Sequence, residues 1–278
     1  MLISKTIAEA QSACAKLRSK DRVLGLVPTM GALHEGHLSL VRAARAACNT
    51  VAVSVFVNPT QFGPNEDFSK YPRTFDEDCA LLEREGVDLI FSPAVEEMYP
   101  TGASTFVVVE GVSDRLDGAS RPGHFRGVTT VVSKLFHIIA PHKAFFGQKD
   151  AAQVAVLRKM VRDLNFPLQL VVCPIVREPD GLALSSRNRY LSDKERQQAL
   201  VLHRALKQVE EFAASGEKSS ARLIEAARRV FAQEPSVRVD YIAVVNPDTL
   251  EDVAEPDGAL VAVAAFVGST RLIDNIVL

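Results

Sequence analysis

RVLGLVPTMGALHEGHLSLVRAARAACNTVAVSVFV, residues 22–57, carries the reading of the fold. Its apolar opening, Arg22 to Pro28, predicts a strand, and Leu38, Val41, Ala44 and Cys48 then recur at helical spacing on one side of a helix. TVAVSVFV (50–57) follows, β-branched at nearly every other position and apolar on both faces, as a central parallel strand must be. The three pieces make one βαβ unit. The turn between the first strand and the helix, PTMGALHEGH (28–37), therefore lies at the C-terminal edge of the sheet, where open α/β folds bind ligands.

Outward from this unit the alternation continues. Thr74 and Glu77 have capping-box spacing and Gly86 marks a helix stop; VDLIFS (87–92) follows as a strand. GVTTVVSKLFHIIA (127–140) predicts a helix with Val128, Val131, Val132, Leu135 and Ile139 on one face, then AFF (144–146) a strand, 151–164 a helix and LQLVVCPIV (168–176) a strand. Residues 1–176 thus read as an α/β domain with a Rossmann-like, doubly wound parallel sheet. Past Ser192 the texture changes: a second capping box (Ser192 to Glu195), charged helices broken by SGEKSS, and three β-rich pieces separated by NPDT and EPDG. Residues 177–278 are expected to form a smaller α+β domain, with REPDGLALSSRNRYLS (177–192) as a hinge or lid loop. The N-terminal MLISKTIAEAQSACAKLRSK, charged at Lys5 and Glu9, reads as an amphipathic helix and not as a secretion signal.

Composition narrows the function classes. At 278 residues and 47% hydrophobic content the chain can bury a substantial core. Its 32 Lys and Arg nearly balance 34 Asp and Glu, so no overall field draws nucleic acid or an anionic membrane. The apolar run Leu260 to Val267 falls well short of the roughly 20 residues that span a bilayer. Cys14, Cys48, Cys79 and Cys173 are scattered singly, as small buried thiols of a reducing compartment are, which points to the cytoplasm.

The two histidines of PTMGALHEGH invite a metal reading, but zinc enzymes of this kind use HExxH, with the ligands a full helical turn apart. Here the motif is HExH with a glycine inside it. Gly31 and Gly36 permit close backbone approach to a ligand, and a helix N-terminus offers free N–H groups. Phosphate is the better match, with His34 and His37 as the extra side-chain donors that nucleotidyl transfer demands. Gly147-Gln148-Lys149-Asp150 repeats the strand, glycine and helix start, and places Lys149 as a point charge there; Asp150 also reads as an N-terminal helix charge. Leu184-Ser185-Ser186-Arg187 combines hydroxyls with a guanidinium that can clamp a triphosphate, or forms a polar turn. Asn58 and Gln61, just after the second strand, carry amides that either bind a ligand or close the NPTQ turn. Glu77 and Asp78 reach toward Mg²⁺ or simply cap a helix, Arg121, His124 and Arg126 are candidates for steering carboxylates, and Met30 and Met98 read as packing.

PTMGALHEGHLSLV resembles the HxGH signature of the nucleotidyltransferase superfamily that includes class I aminoacyl-tRNA synthetases. With FVNPTQFGPNEDFSKYPRT (56–74), RPGHFRGV (121–128), FFGQKDAAQ (145–153) and REPDGLALSSRNRYLS (177–192), it resembles the pantothenate synthetase, or pantoate–β-alanine ligase, family over nearly the whole chain. The resemblance implies ATP-dependent ligation of pantoate to β-alanine through pantoyl adenylate, in pantothenate and coenzyme A biosynthesis, with Mg²⁺ and a homodimer joined through the N-terminal domain. It implies an ATP site at Met30, Gly31, Ala32, Leu33, His34, Glu35, Gly36 and His37, at Gly147, Gln148, Lys149 and Asp150, at Val176, and at Leu184, Ser185, Ser186 and Arg187. It makes His34, His37 and Lys149 catalytic, Gln61 and Gln153 pantoate-binding, and Gln61 with Asn58 β-alanine-binding. A transferase that stops after adenylyl transfer to a phosphorylated acceptor, and a nucleotide sensor without turnover, are the rival readings.

Overall fold

The computed structural model describes residues 1–19, 21–64 and 66–278; Lys20, and Asn65 within the 56–74 motif, lie outside the described residues. The N-terminal part runs β1 (Leu2–Ser4), α1 (Ile7–Leu17), β2 (Leu24–Thr29), α2 (Glu35–Ala47), β3 (Thr50–Val55), α3 (Phe75–Arg84) and β4 (Leu89–Phe91). Two single turns, α4 (Val95–Met98) and α5 (Asp117–Ser120), precede α6 (His124–Ile139), β5 (Lys143–Gly147), α7 (Ala151–Asp163) and β6 (Gln169–Cys173). These six strands form one parallel sheet in the order β1-β4-β3-β2-β5-β6. From the adjacent β2 and β5 the chain departs in opposite directions, to β3 and to β6. That topological switch opens a crevice beyond their C-terminal ends.

Successive strand residues bury against opposite layers because side chains alternate across a sheet. Leu26, Ala52 and Leu89 face one core with Val128, Val132, Leu135 and Leu157, whereas Val27, Val53 and Ile90 face the other with Val41 and Leu82.

The C-terminal part comprises α8 (Asp193–Gln198), α9 (Leu200–Ala214) and α10 (Ser220–Phe231), then β7 (Val237–Val245), β8 (Leu260–Val267) and β9 (Thr270–Val277) in an antiparallel sheet. One face of that sheet packs under its own helices through Val244, Val261 and Val263. The other presents Ala243, Val245 and Ala262 to the core of the first sheet, so one apolar interior joins the two sheets.

Three local expectations fail. Leu2 to Ser4 is an edge strand paired with β4, not part of the first helix, because Thr6 caps α1 with Glu9 as its box partner. Thr74 and Glu77 form no capping box: the Thr74 hydroxyl donates instead to the buried Asp78 carboxylate. NPDT and EPDG both fall in the single β7–β8 connection, and LEDVA between them contributes only an isolated bridge at Asp252. The Ser192–Glu195 box does form, with Ser192 Oγ accepting from Glu195 N–H.

Candidate active site

The first loop, Met30 to His34, turns from β2 into α2 through two left-handed residues, Gly31 (φ +81°) and Ala32 (φ +50°). A non-glycine residue there is strained unless its surroundings hold it. Asp78 does so: its two carboxylate oxygens accept from the Ala32 and Leu33 N–H groups at 2.9 and 2.8 Å. His34 then caps α2, its Nδ1 accepting from Gly36 N–H (3.1 Å), while His37 Nδ1 accepts from His34 N–H (3.4 Å). Gly36 is required here, since a Cβ would stand 2.9 Å from the His34 ring.

Both imidazoles are thus committed at Nδ1, which puts the single proton of each neutral ring on Nε2 as a donor. The rings lie 4.1 Å apart. Burial, then the Lys149 charge, lowers the His34 pKa to about 4; burial, then His34, lowers that of His37 to about 3. Both values lie below 7, so each neutral ring offers its Nε2–H as a hydrogen-bond donor.

A cleft of about 230 Å³ gathers Met30, His34, Gly36 and His37 with Asn58 and Gln61, with Gly147, Lys149, Asp150 and Gln153, with Val176, and with Leu184, Ser185, Ser186 and Arg187. Five members of the expected nucleotide set do not line it. Gly31, Ala32 and Leu33 are buried members of the loop itself, and Glu35 is exposed and paired with Arg42. Gln148 turns its amide to Asn275 of β9 at 3.0 Å.

Lys149 stands in a single 3-10 turn between β5 and α7, with its amine 3.6 Å from Asp150. The Arg187 guanidinium is bidentate to Asp67 at 3.1 and 3.0 Å, and Ser186 lies 3.3 Å from the buried Tyr71 hydroxyl, so the LSSR loop docks on the segment after β3. Leu184 N–H donates to the Val176 carbonyl at 3.0 Å.

Asn58 and Gln61 divide the two readings of their amides. Asn58 is 1% exposed; its Nδ2 donates to Gln61 and to the Gly127 carbonyl, and its Oδ1 accepts from Thr60 and Tyr99. It closes the turn and aims Gln61, with no polar atom left for a ligand. Gln61 also donates to Met30 Sδ at 3.2 Å, so Met30 belongs to the site and not only to the packing. Val128, Val131, Val132 and Leu135 of α6 add an apolar wall that sequence spacing marks only as a core face.

Of the RPGHFRGV residues, Arg121 and His124 line the same cleft. Arg121 is bidentate to Glu66 at 2.7 and 2.6 Å, and His124 Nδ1 lies 2.8 Å from the Gln61 carbonyl. Burial and Arg121 lower the His124 pKa to about 4. Arg126 is exposed and stacks on Phe106 at 3.5 Å, outside the cleft.

The two carboxylates considered for Mg²⁺ have other surroundings. Asp78 spends both oxygens on backbone N–H groups, Glu77 is exposed, and among the described residues no three His, Cys, Asp or Glu side chains converge on one point.

A family model described as pantoate-beta-alanine ligase matches residues 2–277. The chain belongs to the pantoate-beta-alanine ligase family. The pantothenate synthetase of Acidobacterium capsulatum is 64% identical over 99% of this chain and 96% of its own. Among solved structures, pantothenate synthetase from Thermus thermophilus superposes with a TM-score of 0.94 at 48% identity, covering 99% of both chains. The pantoate-beta-alanine ligase of Francisella tularensis, solved with beta-gamma ATP and beta-alanine, gives 0.83 at 33% identity over 100% of this chain and 97% of that one.

Proposed function

We propose that the protein joins pantoate to β-alanine, as the ligases of this family are named for doing, at the expense of ATP and with release of AMP and pyrophosphate. The observation that carries this reading is the convergence in one cleft of two neutral histidines protonated at Nε2, the Lys149 amine and the paired Gln61 and Gln153 amides.

The pantoate carboxylate attacks the α-phosphorus of ATP; the bond from that phosphorus to the bridging oxygen breaks, and pyrophosphate leaves. His34 and His37 donate from Nε2 to the phosphoryl oxygens and Lys149 offsets their growing charge, which is stabilisation without covalent work by the protein. Gln61 and Gln153 hold the pantoate hydroxyls, and the α6 wall accepts its dimethyl carbon. A neutral diol suits these amides better than a phosphorylated acceptor. The β-alanine amine then attacks the acyl carbon and AMP leaves. Leu184 to Arg187 cover the β and γ phosphates, with Arg187 exchanging Asp67 for phosphate oxygens, and exclude water from the mixed anhydride. Mg²⁺ would come with the triphosphate as part of the substrate.

The same reading divides the chain into a nucleotide- and pantoate-binding part, 1–176, and a covering part, 177–278. It also makes the protein a cytoplasmic homodimer. Four free cysteines accord with a reducing compartment. The 104–109 segment, with Phe106 and Val108 42% and 57% exposed, offers a surface for pairing two N-terminal parts.

Incubation with ATP, Mg²⁺, pantoate and β-alanine, followed by mass spectrometry, is expected to yield AMP and pantothenate together. Folded protein that makes no pantothenate overturns the reading. ATP consumed without β-alanine dependence points to the adenylyl transferase, and nucleotide binding without AMP to the sensor.

A further inference from the structure

The alternation of β9 breaks at its centre. Asp274 and Asn275 are consecutive, polar and both 3% exposed, although successive strand residues should face opposite sides. Each has a distinct partner. Asp274 takes the Arg177 guanidinium at 2.6 and 2.9 Å, which fixes the segment leading into the LSSR loop. Asn275 reaches the other way, to the loop that carries Lys149.

Its amide is completely used there. Nδ2 donates to the main-chain carbonyls of Gln148 and Lys149, both at 3.0 Å, and Oδ1 accepts from Gln148 Nε2 at 3.0 Å. The two donors thereby grip two successive peptide carbonyls of a three-residue 3-10 turn, and the acceptor holds the Gln148 side chain. Asp150, which caps α7, makes no side-chain cap bond, so the turn has no local brace of that kind. β9 itself is anchored near its start: Arg271 pairs with Asp117 of the N-terminal part at 2.7 Å and with Asp240 of β7 at 2.8 Å.

We infer that Asn275 is the positioning residue for Lys149: the C-terminal sheet sets the main chain from which the phosphate-directed amine extends. The lysine side chain is a flexible four-carbon stem, so the origin of that stem is what the protein can fix. Placement errors of about 1 Å in such groups cost up to roughly 10²-fold in rate. The inference rests on the activity proposed above. It adds that the sheet of the covering part is a structural member of the adenylating centre.

The test separates the two half-reactions in Asn275→Ala and Asn275→Asp. The first half is pyrophosphate release from ATP and pantoate without β-alanine; the second is capture of supplied pantoyl adenylate by β-alanine. Asn275→Asp keeps the shape and the acceptor for Gln148 but loses both donors to the carbonyls. Both variants are expected to lower kcat of the first half by at least roughly tenfold, with KM for pantoate and the second half held within about twofold. The ratio of the halves does not depend on how much protein is folded. Arg158→Ala, which breaks the exposed Arg158–Asp248 pair between the same two parts, is the control and should leave both halves unchanged. Equal losses in the two halves, or an Asn275→Asp variant that behaves as wild type, overturn the inference. If the wild-type protein itself releases no pyrophosphate, the proposed activity fails instead.

Discussion

Two loops share one design and are braced in different ways. PTMGALHEGH and FGQKD each follow a strand, contain a glycine and open a helix, and they meet across the switch between β2 and β5. The first is braced largely from within: His34 caps its helix, His37 bonds back to His34, and Asp78 of the neighbouring α3 takes two N–H groups. The second has no such cap and is gripped by Asn275, more than 120 residues further along the chain. A loop that binds phosphate through side-chain donors at a helix start can stabilise itself, because the donors double as caps. A loop that binds through one long amine cannot, and its order comes from elsewhere in the molecule.

The largest expected effects come from removing the donors themselves. His34→Ala and Lys149→Ala should each lower pantoate-dependent pyrophosphate release by about 10²–10³-fold, the cost of losing one preorganised donor to a charged centre. Circular dichroism would establish that the variants are folded. The two differ in stability: His34→Ala also removes the α2 cap, at about 1 kcal/mol, whereas Lys149→Ala should melt as wild type. Equal melting points would remove the distinction between a self-braced and an externally braced loop.

Asp78→Ala attacks the brace of the first loop without touching the cleft. It strands the buried Ala32 and Leu33 N–H groups, at about 1–3 kcal/mol each, and releases Ala32 from its left-handed conformation. Denaturant unfolding should register that loss, and adenylation should fall with it while KM for β-alanine holds. An unaltered adenylation rate would mean that the first loop keeps its shape unaided.

The pH dependence tests what the histidines do. Unfolded histidines protonate near 6.5, whereas the folded rings resist until about 4 and 3. The unfolded state therefore binds more protons in that window, and stability should fall as pH drops from 6.5 through 3. His37→Gln should flatten part of that slope in unfolding titrations. The adenylation rate should show no histidine inflection between pH 8 and 6; one near 6.5 would make a ring a proton donor. The smallest effect belongs to Arg126→Ala, which removes an exposed stack on Phe106 worth about 0.5–1 kcal/mol. A change of more than about twofold in KM for either carboxylate substrate would restore its steering role.

Much of this was legible in one dimension. The βαβ reading of 22–57, the helix of α6, the strand–glycine–helix form of FGQKD and the Ser192 cap are local patterns, and they stand where the spacing puts them. The short N-terminal strand was not legible, because three residues carry too little periodicity and Leu2 to Ser4 become a strand only by pairing with β4. Thr74 kept the right spacing and took a different partner, because Asp78 was drawn inward to the first loop. Asn58 carries the same amide as Gln61, and only its five hydrogen bonds, to four residues, reveal that it aims its neighbour.

By itself the sequence determined the alternation of strands and helices, the two helix starts at the sheet edge, and the residue types able to face a phosphate. Those follow from side-chain periodicity and capping chemistry within a few residues. Only the tertiary structure decided which polar groups remain free for a ligand and which are spent on holding others. Burial demands that each polar group find a partner, and the partners of Ala32, Gln61 and Lys149 come from distant parts of the chain.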